Sequence, residues 1–441
     1  MKNKRLLKPI FTLLLALAFA VSGLLLPVSA QAKAKFNLAP LSEEFRQYME
    51  HPDKGASISS AKGHDYGFIP SPVRITRLGK KARSSAFDDD LPPNYNTELT
   101  KNQSSVKDQG SVGSCWTFSS MAILESYFLK NGAGEYNFSE RNMMNNHGFD
   151  WTYDDGGNRE MAVAYLSRWD GPVNEEDDLP YDPPNADTKG SMPGNARTHL
   201  QDTLFFEDDA ADVSPVKKAI REYGAVFSTV YFDDLYYNAA TAAYAFTDAS
   251  DPDLSSNHAI TLVGWDNDFP ASSFNTPVSG NGAFIAKNSW GPNWGKNGYF
   301  YISYDDVFVA KSNGYAVKSA ESVSNYDKLY QHDPLGWIGS YGNGDTTAWF
   351  ANVFTAGENE RINAVSFYTT TPGADYQVFV APNVSGELPD FSGAQPVASG
   401  KQSYAGYHTV AFDPVALAPS AFTVAVRVTN ADGFDYSGNP I

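Results

Sequence analysis

The chain has one cysteine, Cys115, in 441 residues. A lone cysteine forms no internal disulfide, so the fold must hold on its hydrophobic core alone. Basic residues are also scarce. There are 33 Lys and Arg against 51 Asp and Glu, a formal net charge of −18. That balance argues against nucleic acid as a partner. After Leu26 no apolar run reaches membrane length, so no stable span is expected in the mature chain. The acidic clusters Asp88-Asp89-Asp90 and Glu175-Glu176-Asp177-Asp178 lack the spacing of an EF-hand, and they read as a soluble acidic surface. Neither a metal nor an organic cofactor is called for. No internal repeat is visible.

What is present points to a folded, strand-rich exported protein. Aromatics make up 14% of the chain, with 25 Tyr and 28 Phe, and hydrophobic residues 42%. Such a composition excludes general disorder. The length suits two or three domains. Lys2, Lys4, Arg5 and Lys8 precede an apolar run from Ile10 to Leu26, and small residues follow in "VSAQAKA". Residues 1–30 therefore read as a signal peptide, with cleavage after Ala30, Ala32 or Ala34. An uncleaved anchor helix is the competing reading, and Pro27 weighs against it. Disulfide-free export inclines toward a bacterial source and a secreted or cell-surface location.

Residues 31–90 are polar and read as a pro-region or a linker, with one short amphipathic piece, Leu41 to Met49. Residues 91–320 place helices first and strands later. The spacing predicts helices from Cys115, with a stop at Gly132, from Asn158 to Arg168, and from Pro215 to Tyr223. It predicts strands over 225–231, 258–265, 282–287 and 299–304. From about 325 to 441, strand-like runs alternate with Gly, Pro and Asn turns, as in an antiparallel β-sandwich. The whole is an α+β chain followed by an all-β domain.

Cys115 is either a buried small hydrophobe or a reactive thiol. Its place at a predicted helix start favours a negative charge, and Ser114 is positioned to cap that helix. A thiolate nucleophile needs a base. Of seven histidines, His51, His64, His147 and His199 lie in polar stretches, and His332 and His408 in the β-rich tail. His258 opens the apolar strand "HAITLVGW", a rigid place for a base. Asn288 ends the next apolar run, where its carbonyl can accept an imidazole N–H, with Trp290 as a cover.

These blocks resemble the papain family of cysteine peptidases, whose cysteine signature and distant His and Asn are a known pattern. "QGSVGSCWTFS" is similar to the nucleophile motif, "NHAITLVGW" to the histidine motif and "KNSWGPNWGKNGYFYI" to the asparagine motif, in the family's order. The resemblance implies Cys115 as nucleophile, His258 as base and acid, Asn288 as orienter and Gln109 as an oxyanion donor. It also implies Gly156, Gly157, Trp116 and Trp290 as substrate-binding residues, and protein or peptide substrates.

Three departures stand out. Val112 and Asp155 occupy positions where the family usually has a disulfide pair. Asn96-Thr97-Glu98 replaces the usual start of the mature domain. Residues 266–281 form an enlarged loop. The tail resembles the lectin-like domain of some exported bacterial peptidases, which implies possible surface glycans as partners. Trp337, Tyr341 and Trp349 are the aromatics that suit sugar stacking. A second reading is a surface adhesin whose peptidase-like domain is vestigial.

Overall fold

The computed structural model describes residues 37–50, 60, 63–73, 91–96, 101–178, 180–181, 196–206, 212–248, 250, 254–311, 313–342, 344–382, 389–391, 393–430, 434–435 and 439–440. The expected signal peptide lies outside them. Five helices are described: α1 (Glu43–Glu50), α2 (Cys115–Lys130), α3 (Glu140–Asn146), α4 (Arg159–Ser167) and α5 (Ser214–Tyr223).

Helix α2 begins at Cys115, as its sequence predicts, but Ser114 does not cap it through the side chain. Ser114 Oγ instead pairs with Tyr181 OH at 2.8 Å. The helix is buried on all sides until its last turn rather than along one stripe. A helix apolar all round runs through an interior. Asn158 caps α4 by accepting Met161 N–H at 3.1 Å. Pro215 sits in the first turn of α5, which ends at Gly224 with φ 108°. Only a residue free to adopt that backbone closes the helix there. Helix α3 was not expected from its polar sequence. It forms because Ser139 Oγ accepts Asn142 N–H at 3.0 Å and because Met143 and Met144 are fully buried.

The strands are β1 (Asn37–Leu38), β2 (Asn94–Asn96), β3 (Thr198–Phe205), β4 (Val226–Val230), β5 (Tyr237–Asn238), β6 (Ala243–Tyr244), β7 (His258–Asp266), β8 (Ala283–Lys287), β9 (Tyr299–Ser303), β10 (Tyr315–Ser322), β11 (Tyr341–Gly342), β12 (Thr347–Thr355), β13 (Arg361–Thr369), β14 (Ala374–Pro382), β15 (Ala398–Gln402), β16 (Gly406–Ala416), β17 (Ala421–Thr429), β18 (Phe434–Asp435) and β19 (Asn439–Pro440). The four strands predicted in the first half agree with β4, β7, β8 and β9 to within one residue at each end. One sheet runs β13-β16-β3-β10-β4-β7-β8-β9-β6-β5, with β2 on β7. Strand β7 lies near its middle, buried on both faces except at Asp266.

The tail is a sandwich. Its outer sheet is β12-β17-β14-β15. Its inner layer is the β13–β16 pair, and Phe367, Val378, Val410 and Val426 fill the space between. Strand β16 also meets β3 of the first half, His408 opposite Asp202. Asp202 accepts from His408 Nδ1 at 2.7 Å and from Lys318 Nζ at 2.5 Å. Trp337 packs beside this junction against Phe205 and is 7% exposed, so it is a core residue.

Candidate active site

Topology brings Cys115, His258 and Asn288 together. Strands β7 and β8 are antiparallel with Thr261 opposite Lys287, so the start of β7 lies beside the residue that follows β8. Helix α2 packs on β7, with Ser119 Oγ donating to the Ile260 carbonyl at 2.7 Å. Ala259 N–H then reaches Cys115 Sγ at 3.3 Å. His258 Nε2 lies 2.8 Å from Asn288 Oδ1. An amide oxygen only accepts, so this contact fixes the Nε2–H tautomer and leaves the lone pair on Nδ1. Nδ1 is buried and has no hydrogen-bond partner. The Trp290 ring stacks on His258 at 4.7 Å and is itself buried.

Gln109 is fully buried. Ser289 Oγ donates to its Oε1, and the Gln109 N–H donates to the Ser289 carbonyl at 2.8 Å. The amide is thereby held with Nε2 outward. That nitrogen donates to the carbonyls of Asp65 and Val112, both at 2.8 Å.

Asp65 belongs to a segment that the sequence left as pro-region or linker. Residues 63–73 lie across Cys115. Gly157 N–H donates to the Gly67 carbonyl at 2.9 Å, and Ile69 N–H to the Gly157 carbonyl at 3.0 Å. Phe68 thus forms a parallel bridge with Gly157. A Cβ on Gly67 would stand 2.0 Å from the Gly113 carbonyl carbon, and one on Gly156 (φ 98°) 2.5 Å from the Gly67 oxygen. Only glycines permit so close a crossing. Trp116 supports the loop from below, since a Cβ on Gly157 would meet its indole at 2.5 Å. Tyr66 and His64 lie against Trp290. The signal that could have found this segment is the aromatic and apolar island "DYGFIP" (65–70) inside a polar stretch.

Under this cover Cys115 and His258 both favour their neutral forms. Burial pushes the Cys115 thiol up to about 11, against the pull of its backbone hydrogen bonds. Burial lowers His258 to about 4, opposed by Asn288 and aided by nearby His64. Removing a charge from water without a counter-charge has this effect.

Where the resemblance implies a disulfide, at Val112 and Asp155, a hydrogen bond one residue away joins the same two loops. Gly113 N–H donates to Asp154 Oδ1 at 2.8 Å, while Val112 packs with Met144, Tyr153 and Tyr181. Asp155 instead accepts the Thr152 N–H at 2.5 Å.

The model of the papain family cysteine protease matches residues 91–320, more than half of the chain. The chain belongs to the papain family of cysteine proteases. Residues 329–436 match a lectin like domain. This papain-family chain is 32% identical to pro-cathepsin H of Bos taurus over 206 residues, covering 45% of this chain and 55% of that protein. It is 27% identical to cathepsin L1 of Drosophila melanogaster, covering 66% and 73%. The chain thus spans only about half of pro-cathepsin H and about three quarters of cathepsin L1.

Among solved structures it is similar to the cysteine protease and lectin-like domains of Cwp84, a surface layer associated protein of Clostridium difficile. The identity is 28% and the TM-score 0.74, covering 91% of this chain and 86% of that one. Cwp84 solved after propeptide cleavage matches at 28% identity and TM-score 0.66, covering 76% and 84%. Among the described residues no helix is long and apolar enough to cross a membrane.

Proposed function

We propose that the chain is a secreted cysteine endopeptidase, held in a covered form by residues 63–73, whose C-terminal domain binds surface glycans. The observation that carries the peptidase reading is the arrangement of His258. Its Nε2 is tied to Asn288 Oδ1 at 2.8 Å, its Nδ1 is unpartnered, and the next residue's N–H touches the Cys115 sulfur.

Once the cover leaves, water enters and Cys115 passes its proton to His258 Nδ1. The thiolate attacks the substrate carbonyl carbon and a tetrahedral oxyanion forms. Gln109 Nε2–H and the Cys115 N–H stabilise that oxygen. In the covered form the same Gln109 amide already holds a backbone carbonyl, that of Asp65. His258 then protonates the leaving amine, and water hydrolyses the thioester with His258 as base. Asn288 keeps the ring aligned throughout, with Trp290 covering that contact. Gly156 and Gly157 bind extended substrate backbone as Gly157 now binds Gly67 and Ile69, and Trp116 supports them. In the mature domain, 91–320, the segment 31–90 is absent, by analogy with the cleaved propeptide of Cwp84.

The test is cleavage-site profiling of the processed protein on unfolded casein. The wild type should cleave, and Cys115→Ala should lose at least ~10⁴-fold in rate. Equal rates would overturn the reading. The adhesin alternative predicts no labelling by a thiol-reactive epoxide. The peptidase reading predicts labelling that His258→Ala abolishes.

A further inference from the structure

The outer sheet of the C-terminal sandwich carries a row of partly exposed side chains on its outward face. Residues directly opposite across antiparallel strands share a face. Trp349 of β12 stands opposite Arg427 of β17, Arg427 opposite Gln377 of β14, and Gln377 opposite Ser399 of β15. The alternate residues Val426, Val428 and Val378 fill the sandwich core, so this row faces away from it. Trp349 is 49% exposed although it is a large apolar ring on a well-packed sheet. Phe379, two residues beyond Gln377 on the same face, packs against one side of Trp349, and Phe391 lies against both rings.

Across the sheet from Trp349 stand Arg427 and Gln377, and one row away the Thr347 and Thr429 hydroxyls pair with each other at 3.0 Å. The Arg427 guanidinium lies 5.9 Å from the Trp349 ring centre. Its NH1 donates to Gln377 Oε1 at 3.0 Å. That bond occupies the amide oxygen, so Gln377 presents its NH₂ group. The carboxylate in the adjacent row, Asp375, is held by Lys401 at 3.4 Å. Among the described residues, no other hydrogen bond occupies the Arg427 side chain. The result is an exposed indole face beside a planar guanidinium and an amide NH₂, in a chain whose net charge is −18. An indole stacks on the C–H face of a pyranose, and a guanidinium fork matches a carboxylate.

We propose that this face binds an acidic saccharide, with a pyranose ring on Trp349 and its carboxylate on Arg427. The proposal rests on reading the C-terminal domain as glycan-binding, and it names the site and the class of sugar. Tyr341 and Trp337, the other two aromatics suited to stacking, stand outside this row, and Trp337 is buried.

The experiment uses the full chain with Cys115→Ala, which blocks self-digestion. Tetragalacturonate, a hyaluronan tetramer and sialyllactose are titrated by calorimetry, with galactotetraose as the uncharged arm. At least one acidic probe should bind more than ~10-fold tighter than galactotetraose. Trp349→Ala should weaken it ~10-fold or more, and Arg427→Gln should remove the preference for the acidic probe. Trp349→Phe, which keeps a ring against Phe379, should bind at an intermediate level if the first variant unfolds.

Binding untouched by either substitution places the glycan site elsewhere and overturns this proposal while sparing the glycan reading. If only galactotetraose binds, the acidic class is wrong. If no probe binds, both fall. If sedimentation shows that wild type self-associates and Trp349→Ala does not, the face belongs to a second copy of the chain, which also overturns it.

Discussion

Two sets of ionisable side chains lie buried along helix α2, and they solve the same problem differently. At its start, Cys115 and His258 are buried without a counter-charge, and both are driven toward neutrality. Further along, Glu125 is buried with partners on every side. It accepts from Phe138 N–H at 2.9 Å, from Ser104 Oγ, and from Lys107 Nζ at 3.3 Å. Lys107 also reaches Glu140 at 2.7 Å, and Lys287 Nζ donates to the Ser104 carbonyl at 2.9 Å. Burial pulls Lys107 down, but Glu140 and Glu125 outweigh it and hold the lysine charged. Burial raises Glu140, and Lys107 pulls it back. On balance burial still leaves Glu140 raised to about 7, and it lowers Lys287, which donates to Ser104 and to no carboxylate among the described residues, to about 8. A cavity of about 20 Å³, room for one water, lies among them and reaches the back of Asn288 and Ser289. The difference teaches that in this interior a charge is held where two opposite charges flank it, as at Lys107, and is pushed toward neutrality elsewhere. The site at the start of α2 must therefore be uncovered before it can carry a thiolate and an imidazolium.

The sharpest way to break the comparison is to unpair the second set. Glu125→Ala leaves Lys107 with Glu140 alone and strips a partner from Ser104 and from the Phe138 N–H. Stability should fall by about 3–5 kcal/mol, read by urea unfolding. A loss below ~1 kcal/mol would mean that the pairing is dispensable and that the two sets do not differ in kind.

Acid should act on the first set. Unfolded, His258 takes a proton near pH 6.5; covered, it resists until about pH 4. The neutral form is the one the cover favours, so its contribution is complete above pH 6.5 and fades as pH falls toward 4. At 1.36 kcal/mol per pH unit, about 3 kcal/mol is lost across that window. Cys115 works in the opposite direction: its thiol is held neutral up to about 11 against 9.0, so the cover also weakens above pH 9. Hydrogen exchange at the Gly67 and Phe68 amides should be slowest between about pH 6.5 and 9, after correction for intrinsic rates. His147, also lowered to about 4 by burial and by Arg168, destabilises the fold generally in acid. His258→Gln should therefore flatten the response of the Gly67 amide more than the global unfolding curve.

The first set was legible because the resemblance to the papain family picks out Cys115, His258 and Asn288, and its elements were legible because they are local. A strand begins at His258 after polar residues, another ends at Lys287 just before Asn288, and a helix starts at Cys115. Each boundary is written in a short run of apolar periodicity, and the fold follows to within a residue. What was not legible depends on distant partners. Strand β3 carries Asp202 and His199 among its apolar residues and reads as polar. Its place between β10 and β16, with Asp202 held by His408 and Lys318, explains it. The segment 63–73 has no period at all. Its position is set by backbone pairing between Gly67 and Gly157, about ninety residues apart, which no local pattern encodes. Ser114 failed as a cap for the same reason, since Tyr181 takes its hydroxyl.

Gly67 gives a milder handle on the cover. Gly67→Val places side-chain carbon where the Gly113 carbonyl now stands, and backbone cannot give way as a side chain does. The segment must lift. In the unprocessed protein, alkylation of Cys115 should accelerate at least ~10-fold, equivalent to about 1.4 kcal/mol of lost closure. An unchanged rate would show that segment 63–73 does not limit access to the sulfur.

The smallest expected effect concerns how the loop beside the site stays in place without a disulfide. Asp154→Ala removes the acceptor of the Gly113 N–H and should cost about 1 kcal/mol in urea unfolding. Asp155→Ala removes an exposed turn contact to Thr152 and should change stability by less than ~0.5 kcal/mol, although Asp155 stands where the resemblance implies a cysteine. The order of the two values is the informative quantity. Asp154 above Asp155 means that the tie moved by one residue when the sulfurs were lost. The reverse order would mean that Asp155 inherited it, and that the Gly113 contact is incidental.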